Sequence, residues 1–305
     1  MPPATGSATT SRPFGAILTA MVTPMAPSGA IDLVAAVRLA TYLVDHGHDG
    51  LVLNGTTGEA PTTHAAEKSE LIAAVVDAVG ERAVVVAGAG SNDTAHAIRI
   101  AQQAAAAGAH ALLVVSPYYS RPSQEGIYRH SVAVADSTDL PVMLYDVPAR
   151  TVVRYSPDTL DRLAQHERIV AVKDATGDVY AAMKTMARTG LAYYCGDDAL
   201  NLAFLTHGAA GVVSMAGHLV GDELAAMVRA LDSGDLTLAL KIFGSIVPVI
   251  ELICGSGNGA VRAKVALELL GVITTRSMRL PQVEADDDEV DVVRRALTDA
   301  GLLPS

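Results

Sequence analysis

The sequence predicts an α/β protein, a closed (β/α)8 or TIM barrel followed by a C-terminal helical appendage. Short apolar runs recur at intervals of roughly 20 to 30 residues, and each is followed by a segment with the apolar spacing of a helix. Alternating strands and helices form parallel sheets, and eight such units are the number that closes a barrel. From residue 222 onward only the helical spacing continues. A doubly wound open sheet is the main alternative.

The predicted strands are short and free of charged residues, as expected for strands that a parallel sheet buries on both faces. They span residues 14–22, 50–53, 83–87, 111–115, 141–145, 169–172, 191–194 and 211–213. The first predicted helix begins after Asp32, whose side chain can cap it, and ends before Gly47. The predicted helices span residues 33–44, 67–79, 93–107, 123–136, 157–165, 179–188, 199–207, 222–231, 236–253, 260–270 and 287–300.

This pattern divides the chain into three segments. Residues 1–13 are rich in proline, serine and threonine and lack the apolar stretch of a secretory signal, so we expect a disordered tail. Residues 14–232 form the predicted barrel, and residues 233–305 form a C-terminal helical domain.

Composition excludes several classes of function. The 305 residues carry a net charge of -11 without a basic patch, which argues against binding nucleic acid or an anionic membrane. No uninterrupted apolar run of about 18 residues is found, so we expect no membrane span. The cysteines Cys195 and Cys254 are isolated, and the histidines have no metal-binding spacing. We therefore expect no disulfide framework, no metal site and a cytoplasmic location.

The residues with chemical potential all follow or end predicted strands. The carboxyl ends of the strands carry the active site in barrels of this kind, so we expect these residues to lie together. They are Thr56 and Thr57 after strand two, Tyr119 after strand four, Tyr145 in strand five, Lys173 after strand six, Gly196 after strand seven and Val213 in strand eight.

Lys173 is the candidate around which the site is organised. It follows the apolar run 169–172 directly and precedes a turn at Thr176 and Gly177. Burial favours the neutral amine, and a neutral amine in an apolar pocket can attack a carbonyl carbon and form a Schiff base. The alternative is a structural lysine that reaches solvent or pairs with Asp174.

The neighbouring candidates are also open to two interpretations. The Gly-Thr-Thr-Gly turn at 55–58 offers backbone amides and hydroxyls to a carboxylate, or is a plain connecting turn. Tyr145 could transfer protons near an imine, or be structural. Arg150, on the predicted loop after strand five, could hold a second carboxylate with two hydrogen bonds, or be solvated.

Five motifs carry a family likeness, in this order: GTTGEAPT (55–62), SPYYSRPSQEGIYRH (116–130), YDVPART (145–151), VKDATGD (172–178) and CGDDAL (195–200). They resemble the dihydrodipicolinate synthase family, now called 4-hydroxy-tetrahydrodipicolinate synthases, from about Phe14 to near the end of the chain. The resemblance implies a (β/α)8-barrel class I aldolase acting on pyruvate and aspartate 4-semialdehyde in the diaminopimelate route to lysine. It also implies a homotetramer of two tight dimers and no external cofactor, because the lysine imine is the electron sink.

The resemblance assigns roles residue by residue. Lys173 matches the Schiff-base lysine, and Tyr145, Thr57 and Tyr119 match a proton relay in which Tyr119 comes from the other subunit of a dimer. The remaining matches are to binding positions: Thr56 and Thr57 for the pyruvate carboxylate, Arg150 for the semialdehyde carboxylate, and Gly196 and Val213 for the pocket near the imine.

Two departures from the family pattern have consequences. Val152 stands where many members have glycine, which we expect to alter the semialdehyde loop. In members inhibited by lysine, two histidines and a glutamate help to hold the effector. Ala65, Lys68 and His96 occupy the corresponding positions here, so we expect repulsion of a cationic effector and weak or absent lysine inhibition.

Three alternatives remain at this point. Other pyruvate aldolases of the superfamily, such as N-acetylneuraminate lyase or 2-keto-3-deoxy-sugar-acid aldolases, share the lysine, the tyrosine and the turn. Arg150 and the Tyr118–Tyr119 pair favour the synthase. A non-catalytic barrel that senses small molecules has no need for an amine and a phenol together, and a metal-dependent aldolase needs ligand clusters.

Overall fold

The structure is a computed structural model that describes residues 11–255 and 257–304. Residues 1–10 of the predicted tail, with Ser256 and Ser305, lie outside the described residues. Near the C-terminal end of that predicted tail, Arg12 is hydrogen-bonded to the barrel. Its guanidinium donates to both carboxylate oxygens of Asp232 at 2.8 and 2.7 Å and to the carbonyl oxygen of Ala210 at 3.0 Å.

Eight parallel strands form a closed barrel in chain order, and β1 pairs with both β2 and β8. This closure confirms the predicted (β/α)8 barrel and excludes the open sheet. The strands are β1 Ile17–Ala20, β2 Gly50–Leu53, β3 Val84–Gly88, β4 Ala111–Val115, β5 Val142–Asp146, β6 Ile169–Asp174, β7 Ala192–Cys195 and β8 Gly211–Ser214.

Helices surround the barrel and continue beyond it. The barrel helices are α1 Leu33–Asp45, α2 Ala65–Val79, α3 Thr94–Ala106, α4 Gln124–Ala135, α5 Pro148–Thr151, α6 Pro157–Leu163, α7 Val179–Thr189, α8 Asn201–Thr206 and α9 Gly217–Asp232. The C-terminal helices are α10 Leu236–Cys254, α11 Gly259–Leu269 and α12 Asp287–Asp299. As predicted, Asp32 caps α1 by accepting a hydrogen bond from the backbone N–H of Ala35.

Besides small shifts in several bounds and the short helix α5, which was predicted as a loop, four elements differ from the prediction. Strand β1 is shorter because Gly15, at φ 82°, turns the chain before it. Strand β6 includes Lys173 and Asp174. The predicted helix 199–207 consists of a 3-10 turn, Asp198–Leu200, followed by α8. The helix predicted from residue 222 already begins at Gly217, with a kink at Val220.

The apolar residues form two separate cores. One fills the inside of the barrel with inward-facing residues such as Met143, Tyr145 and Ala171, and the other lies between the strands and the helices. Successive strand residues point to opposite faces of a sheet. Tyr145 and Lys173 therefore face the inside of the barrel, whereas Asp146 and Asp174 face the helices.

Helix α10 in the C-terminal part of the chain is long and apolar. Helix α10 has 19 residues with a mean hydropathy of 2.0, and among the described residues it is the one helix long and apolar enough to cross a membrane. In the sequence, Lys241 and Glu251 interrupt the apolar run of this helix. Such a helix is weak evidence for a membrane, and here it packs against α9. The division at residues 232 and 233 falls at the end of α9 and stays a prediction.

Candidate active site

Lys173 and Tyr145 lie side by side at the carboxyl-terminal end of the barrel. They are direct partners across the neighbouring strands β5 and β6. Both side chains are buried, with 6% and 7% of their surface exposed. The Lys173 Nζ lies 4.3 Å from the centre of the Tyr145 ring. The barrel therefore places an amine and a phenol in one pocket.

The ion pair proposed as the structural alternative for Lys173 does not form. Asp174 points to the opposite face of β6, and its carboxylate accepts a hydrogen bond from the backbone N–H of Thr176 at 2.8 Å. The ion pairs among the described residues do not include Lys173. The amine is thus buried without a carboxylate partner, which is how a nucleophilic lysine is arranged.

Gly196 makes room for the Lys173 side chain. A Cβ added at this position would lie 2.9 Å from Lys173 Cε and 3.1 Å from its Cγ. The backbone N–H of Gly196 donates to the carbonyl oxygen of Asp174 at 2.7 Å, so this glycine is tied to β6. The absence of a side chain at residue 196 therefore decides where the amine can lie.

We expect Gly196→Ala to displace the amine while the barrel still folds. A misplacement of about 1 Å can reduce rate by about 100-fold, so capture of a carbonyl substrate by Lys173 should slow by about 10- to 100-fold. Borohydride trapping of a pyruvate adduct measures that rate. The control is Gly244→Ala, because a Cβ added at residue 244 has no atom within 4 Å. Gly190→Ala is unsuitable, because Gly190 has a φ of 70°, which disfavours alanine. An adduct rate unchanged from wild type in Gly196→Ala would contradict the prediction.

The predicted binding residues line the same cavity as the amine. This cavity has a volume of about 650 Å³. Its lining includes Lys173, Tyr145, Thr56, Thr57, Arg150, Gly196 and Val213. The structure therefore brings seven of the eight predicted site residues together, and Tyr119 is the exception.

Tyr119 does not line the cavity that holds Lys173 in its own chain. Its side chain is 85% exposed, and its backbone has a φ of 75°, which is uncommon for a residue with a bulky side chain. The side-chain hydrogen bonds of the described residues do not join Tyr145 and Thr57, although both line the cavity. One chain therefore does not contain a continuous hydrogen-bonded proton relay through the hydroxyls of Tyr145, Thr57 and Tyr119.

Arg150 lies on a helical turn where a loop was predicted. Helix α5, which begins with Pro148, carries the arginine at the rim of the cavity, where its side chain is exposed. The turn ends at Val152, whose φ of 70° is unusual for a β-branched residue and which is 52% exposed. The departure from glycine noted in the sequence thus falls at a strained position beside Arg150.

A second cavity of about 470 Å³ adjoins the first and contains the residues expected at an effector site. Ala65, Lys68 and His96 line it together. The Lys68 amine donates to the carbonyl oxygens of Ala60 and Thr63 at 2.8 and 2.9 Å. Burial lowers the pKa of Lys68. Among the described residues, no carboxylate side chain lines this cavity.

Sequence reasoning missed the buried ion pair beneath the Gly-Thr-Thr-Gly turn. Lys264 of α11 donates to Glu59 at 2.6 Å and to the carbonyl oxygen of Ser277 at 2.7 Å. Lys264 is fully buried and Glu59 is 4% exposed. The other Glu59 oxygen accepts from the backbone N–H of Arg279. Glu59 stands in the GTTGEAPT motif, but nothing in the helical pattern around Lys264 indicates a partner 205 residues away.

The two cysteines do not form a disulfide. Cys195 and Cys254 are free thiols, and burial raises the pKa of both above the ordinary range. In the described ranges, no group of three or more His, Cys, Asp and Glu side chains is arranged to hold a metal ion.

A closed barrel with a buried amine beside a phenol at its carboxyl-terminal end defines the class of barrel aldolases that work through a lysine imine. The sequence model described as the dihydrodipicolinate synthetase family matches residues 13–300. The chain belongs to this family, as its motifs predicted.

Two curated relatives match 95% or more of the chain. The 4-hydroxy-tetrahydrodipicolinate synthase of Kineococcus radiotolerans is 52% identical over 305 residues, which cover 100% of this chain and 99% of that protein. The enzyme of the same name from Acidothermus cellulolyticus is 53% identical over 289 residues, covering 95% and 93%.

Solved structures show the same architecture. Dihydrodipicolinate synthase from Bacillus anthracis has a TM-score of 0.90 and 40% identity, covering 96% of this chain and 99% of that one. The Cyanidioschyzon merolae enzyme, solved with lysine bound, has a TM-score of 0.92 and 37% identity, covering 96% and 100%.

Proposed function

We propose that this chain is a lyase of the class I aldolase type that condenses pyruvate with L-aspartate 4-semialdehyde to give 4-hydroxy-tetrahydrodipicolinate, in the diaminopimelate route to lysine. The full-length identity of about half to relatives of that name supports this activity. The main structural observation in its favour is the buried Lys173 amine. It lies 4.3 Å from the centre of the Tyr145 ring and forms no ion pair with a carboxylate among the described residues.

The arrangement supports the following sequence of steps. The Lys173 nitrogen attacks the ketone carbon of pyruvate, water leaves, and a protonated imine forms. The imine withdraws electrons and acidifies the pyruvate methyl group. The Tyr145 hydroxyl takes a methyl proton while its own proton passes along Thr57 and Tyr119, which gives an enamine. The enamine attacks the aldehyde carbon, and the relay returns the proton to the aldehyde oxygen. The substrate amine then closes onto the imine carbon and expels Lys173.

The binding roles follow from position in the cavity. The turn that carries Thr56 and Thr57 holds the pyruvate carboxylate, because its amides and hydroxyls can donate to an anion. Arg150, at the rim on α5, holds the carboxylate of the semialdehyde. Gly196 and Val213 shape the pocket near the imine. Lys173 itself is the electron sink, so the reaction as proposed needs no external cofactor.

A comparison of aldehyde substrates tests the specificity. Purified protein with pyruvate and aspartate semialdehyde should turn over rapidly in a coupled assay. Sugar-acid substrates in the reverse, cleaving direction should give little or no reaction. Faster turnover of N-acetylneuraminate or a 2-keto-3-deoxy sugar acid would reassign the chain to another aldolase of the superfamily, and absence of a pyruvate adduct would favour a sensor.

We also propose that the working form is a homotetramer of two tight dimers in the cytoplasm, in which Tyr119 enters the partner's cavity. The 85% exposure of its side chain supports this, because an exposed tyrosine on a constrained loop is available to a neighbour. Tyr119→Phe and Lys173→Ala should each be weakly active alone. Mixed dimers should regain activity, since one site then has both Lys173 and the partner's tyrosine. Failure of mixed dimers to exceed both parents would contradict a shared site.

We expect free lysine to inhibit this enzyme weakly or not at all. The second cavity carries Lys68 and His96 and, among the described residues, no carboxylate to receive the effector's ammonium groups. Turnover at saturating pyruvate should be unchanged by submillimolar lysine. The double variant Lys68→His with His96→Glu should gain sensitivity to lysine. Strong inhibition of the wild type by submillimolar lysine would show this interpretation to be wrong.

A further inference from the structure

Two carboxyl groups lie in register directly behind the amine and the phenol. Asp146 and Asp174 are partners across β5 and β6, one position after the Tyr145 and Lys173 pair. They are 3% and 6% exposed. They line a cavity of about 20 Å³ on the helix side of the sheet, enough for about one water molecule. Two like charges so close together and so far from water are costly.

The hydrogen bonds distinguish the two groups. Asp174 Oδ1 accepts from the backbone N–H of Thr176 at 2.8 Å, as a carboxylate does. In contrast, Asp146 Oδ1 is buried and has no hydrogen-bond partner among the described residues. A protonated carboxyl is a donor, and a buried carboxyl oxygen without a partner, on the residue in register with a second carboxyl, is the place for such a proton. Geometry therefore places the proton on Asp146.

The surrounding charges do not neutralise the pair. Arg154 is about half exposed and lies 3.8 Å from Asp178, to which its charge is partly directed. Burial, and then the charge of Asp174, raise the pKa of Asp146 to about 7, although Arg154 and the backbone N–H of Tyr155 oppose the rise. Burial also raises the pKa of Asp174, and nearby Asp178 adds to the rise.

The remaining groups that face the pair are phenols and hydroxyls. Burial raises the pKa of Tyr155 and Tyr193 above the range in which they would ionise, so both stay neutral. Arg188 of α7 acts on Tyr193 rather than on the carboxyls. Thr185 also lines the small cavity.

We propose that Asp146 and Asp174 share one proton, held on Asp146, and that this acid–carboxylate pair positions the ends of β5 and β6 so that Tyr145 and Lys173 stay in register. The backbone supports this role, because the carbonyl oxygen of Asp146 accepts from Ala175 at 2.9 Å, beyond the end of β6. Loss of the proton places a second negative charge at the same junction. Both carboxyls are positioning residues and do not touch substrate.

The proton makes a pH-dependent contribution to stability whose sign is fixed. Asp146 holds a proton in the folded state up to a pKa of about 7, whereas in the unfolded chain its value is 3.8. Its contribution is complete below the unfolded value and is lost as the pH rises through about 7. At pH 8, one unit above that value, about one molecule in ten keeps the proton.

Infrared spectroscopy and thermal unfolding of the full chain test the pair. At pH 6 the wild type should show the carbonyl band of a buried protonated carboxylic acid, and this band should weaken by pH 8.5 and be absent in Asp146→Asn. The asparagine side chain is about the size of the aspartic acid it replaces, and its amide donates a hydrogen bond but has no proton that titrates. The midpoint of unfolding of Asp146→Asn should therefore rise relative to wild type as the pH increases from 5 to 8. Asp178→Asn, which removes a half-exposed carboxylate nearby, should leave the band in place.

The positioning role rests on the proposed function and has its own readout. The ratio of borohydride-trapped pyruvate adduct in Asp146→Asn to that in wild type should increase by about threefold or more between pH 6 and pH 8.5. The reason is that the protonated fraction of Asp146 in the wild type falls by about tenfold for each pH unit above its pKa. If wild type forms no adduct at any pH, the proposed function fails, while the infrared band still tests the pair. Absence of the band from wild type at pH 6 overturns the proposal even if a variant fails to fold, and a constant adduct ratio overturns the positioning role.

Discussion

Replacing Lys173 with alanine should abolish the pyruvate adduct that borohydride traps in the wild type. Lys173 is the one lysine among the described residues that line the 650 Å³ cavity. Its amine is buried and has no carboxylate partner among those residues. Loss of a covalent nucleophile typically reduces kcat by about 10³-fold or more. Mass spectrometry of the reduced protein and peptide mapping should locate the wild-type adduct on Lys173.

Matched variants separate this result from a general effect on the protein. Lys184→Ala removes an exposed amine from α7, the helix that follows the same strand, and should leave the adduct unchanged. Tyr145→Phe keeps the ring that contacts the amine and removes the hydroxyl, so the adduct should still form while turnover falls. An adduct in Lys173→Ala, or a wild-type adduct mapped to another lysine, would disprove the proposed mechanism.

Replacing Lys264 with methionine should destabilise the protein strongly. The substitution leaves the Glu59 carboxylate buried without its cationic partner, and breaking a buried ion pair on one side costs about 3–5 kcal/mol. Because Glu59 follows the Gly-Thr-Thr-Gly turn directly, the KM for pyruvate should rise as well. Thermal unfolding at a fixed scan rate and pyruvate kinetics measure the two effects.

The double variant Glu59→Gln with Lys264→Met identifies the cause. It removes both charges, so its unfolding temperature should lie above that of Lys264→Met alone. Lys241→Met, an exposed change on α10, should have little effect. A double variant less stable than the single one would show that packing or the hydrogen bonds to Ser277 and Arg279, rather than an unpaired charge, account for the loss.

Much of the fold could be predicted because it depends on patterns that are local in the chain. Charge-free apolar runs marked all eight strands, and the bounds of β2 and β4 agree with the prediction residue for residue. Two of the boundaries that differ from the prediction are set by turns, one at Gly15 before β1 and one at the 3-10 turn before α8. Helix α10 was not recognised as long and apolar enough to cross a membrane, because its two charged residues, Lys241 and Glu251, interrupt the apolar run.

Part of the candidate site could likewise be predicted from the sequence, and part could not. Lys173 and Tyr145 could be assigned to one pocket from sequence, because parallel strands in a closed barrel end at the same face and chain order sets their neighbours. Tertiary structure alone decided which way Asp174 points, how closely Gly196 approaches the lysine, and that Lys264 meets Glu59. Those contacts depend on register and on side chains far apart in the chain, and the periodicity of a sequence carries no information about either.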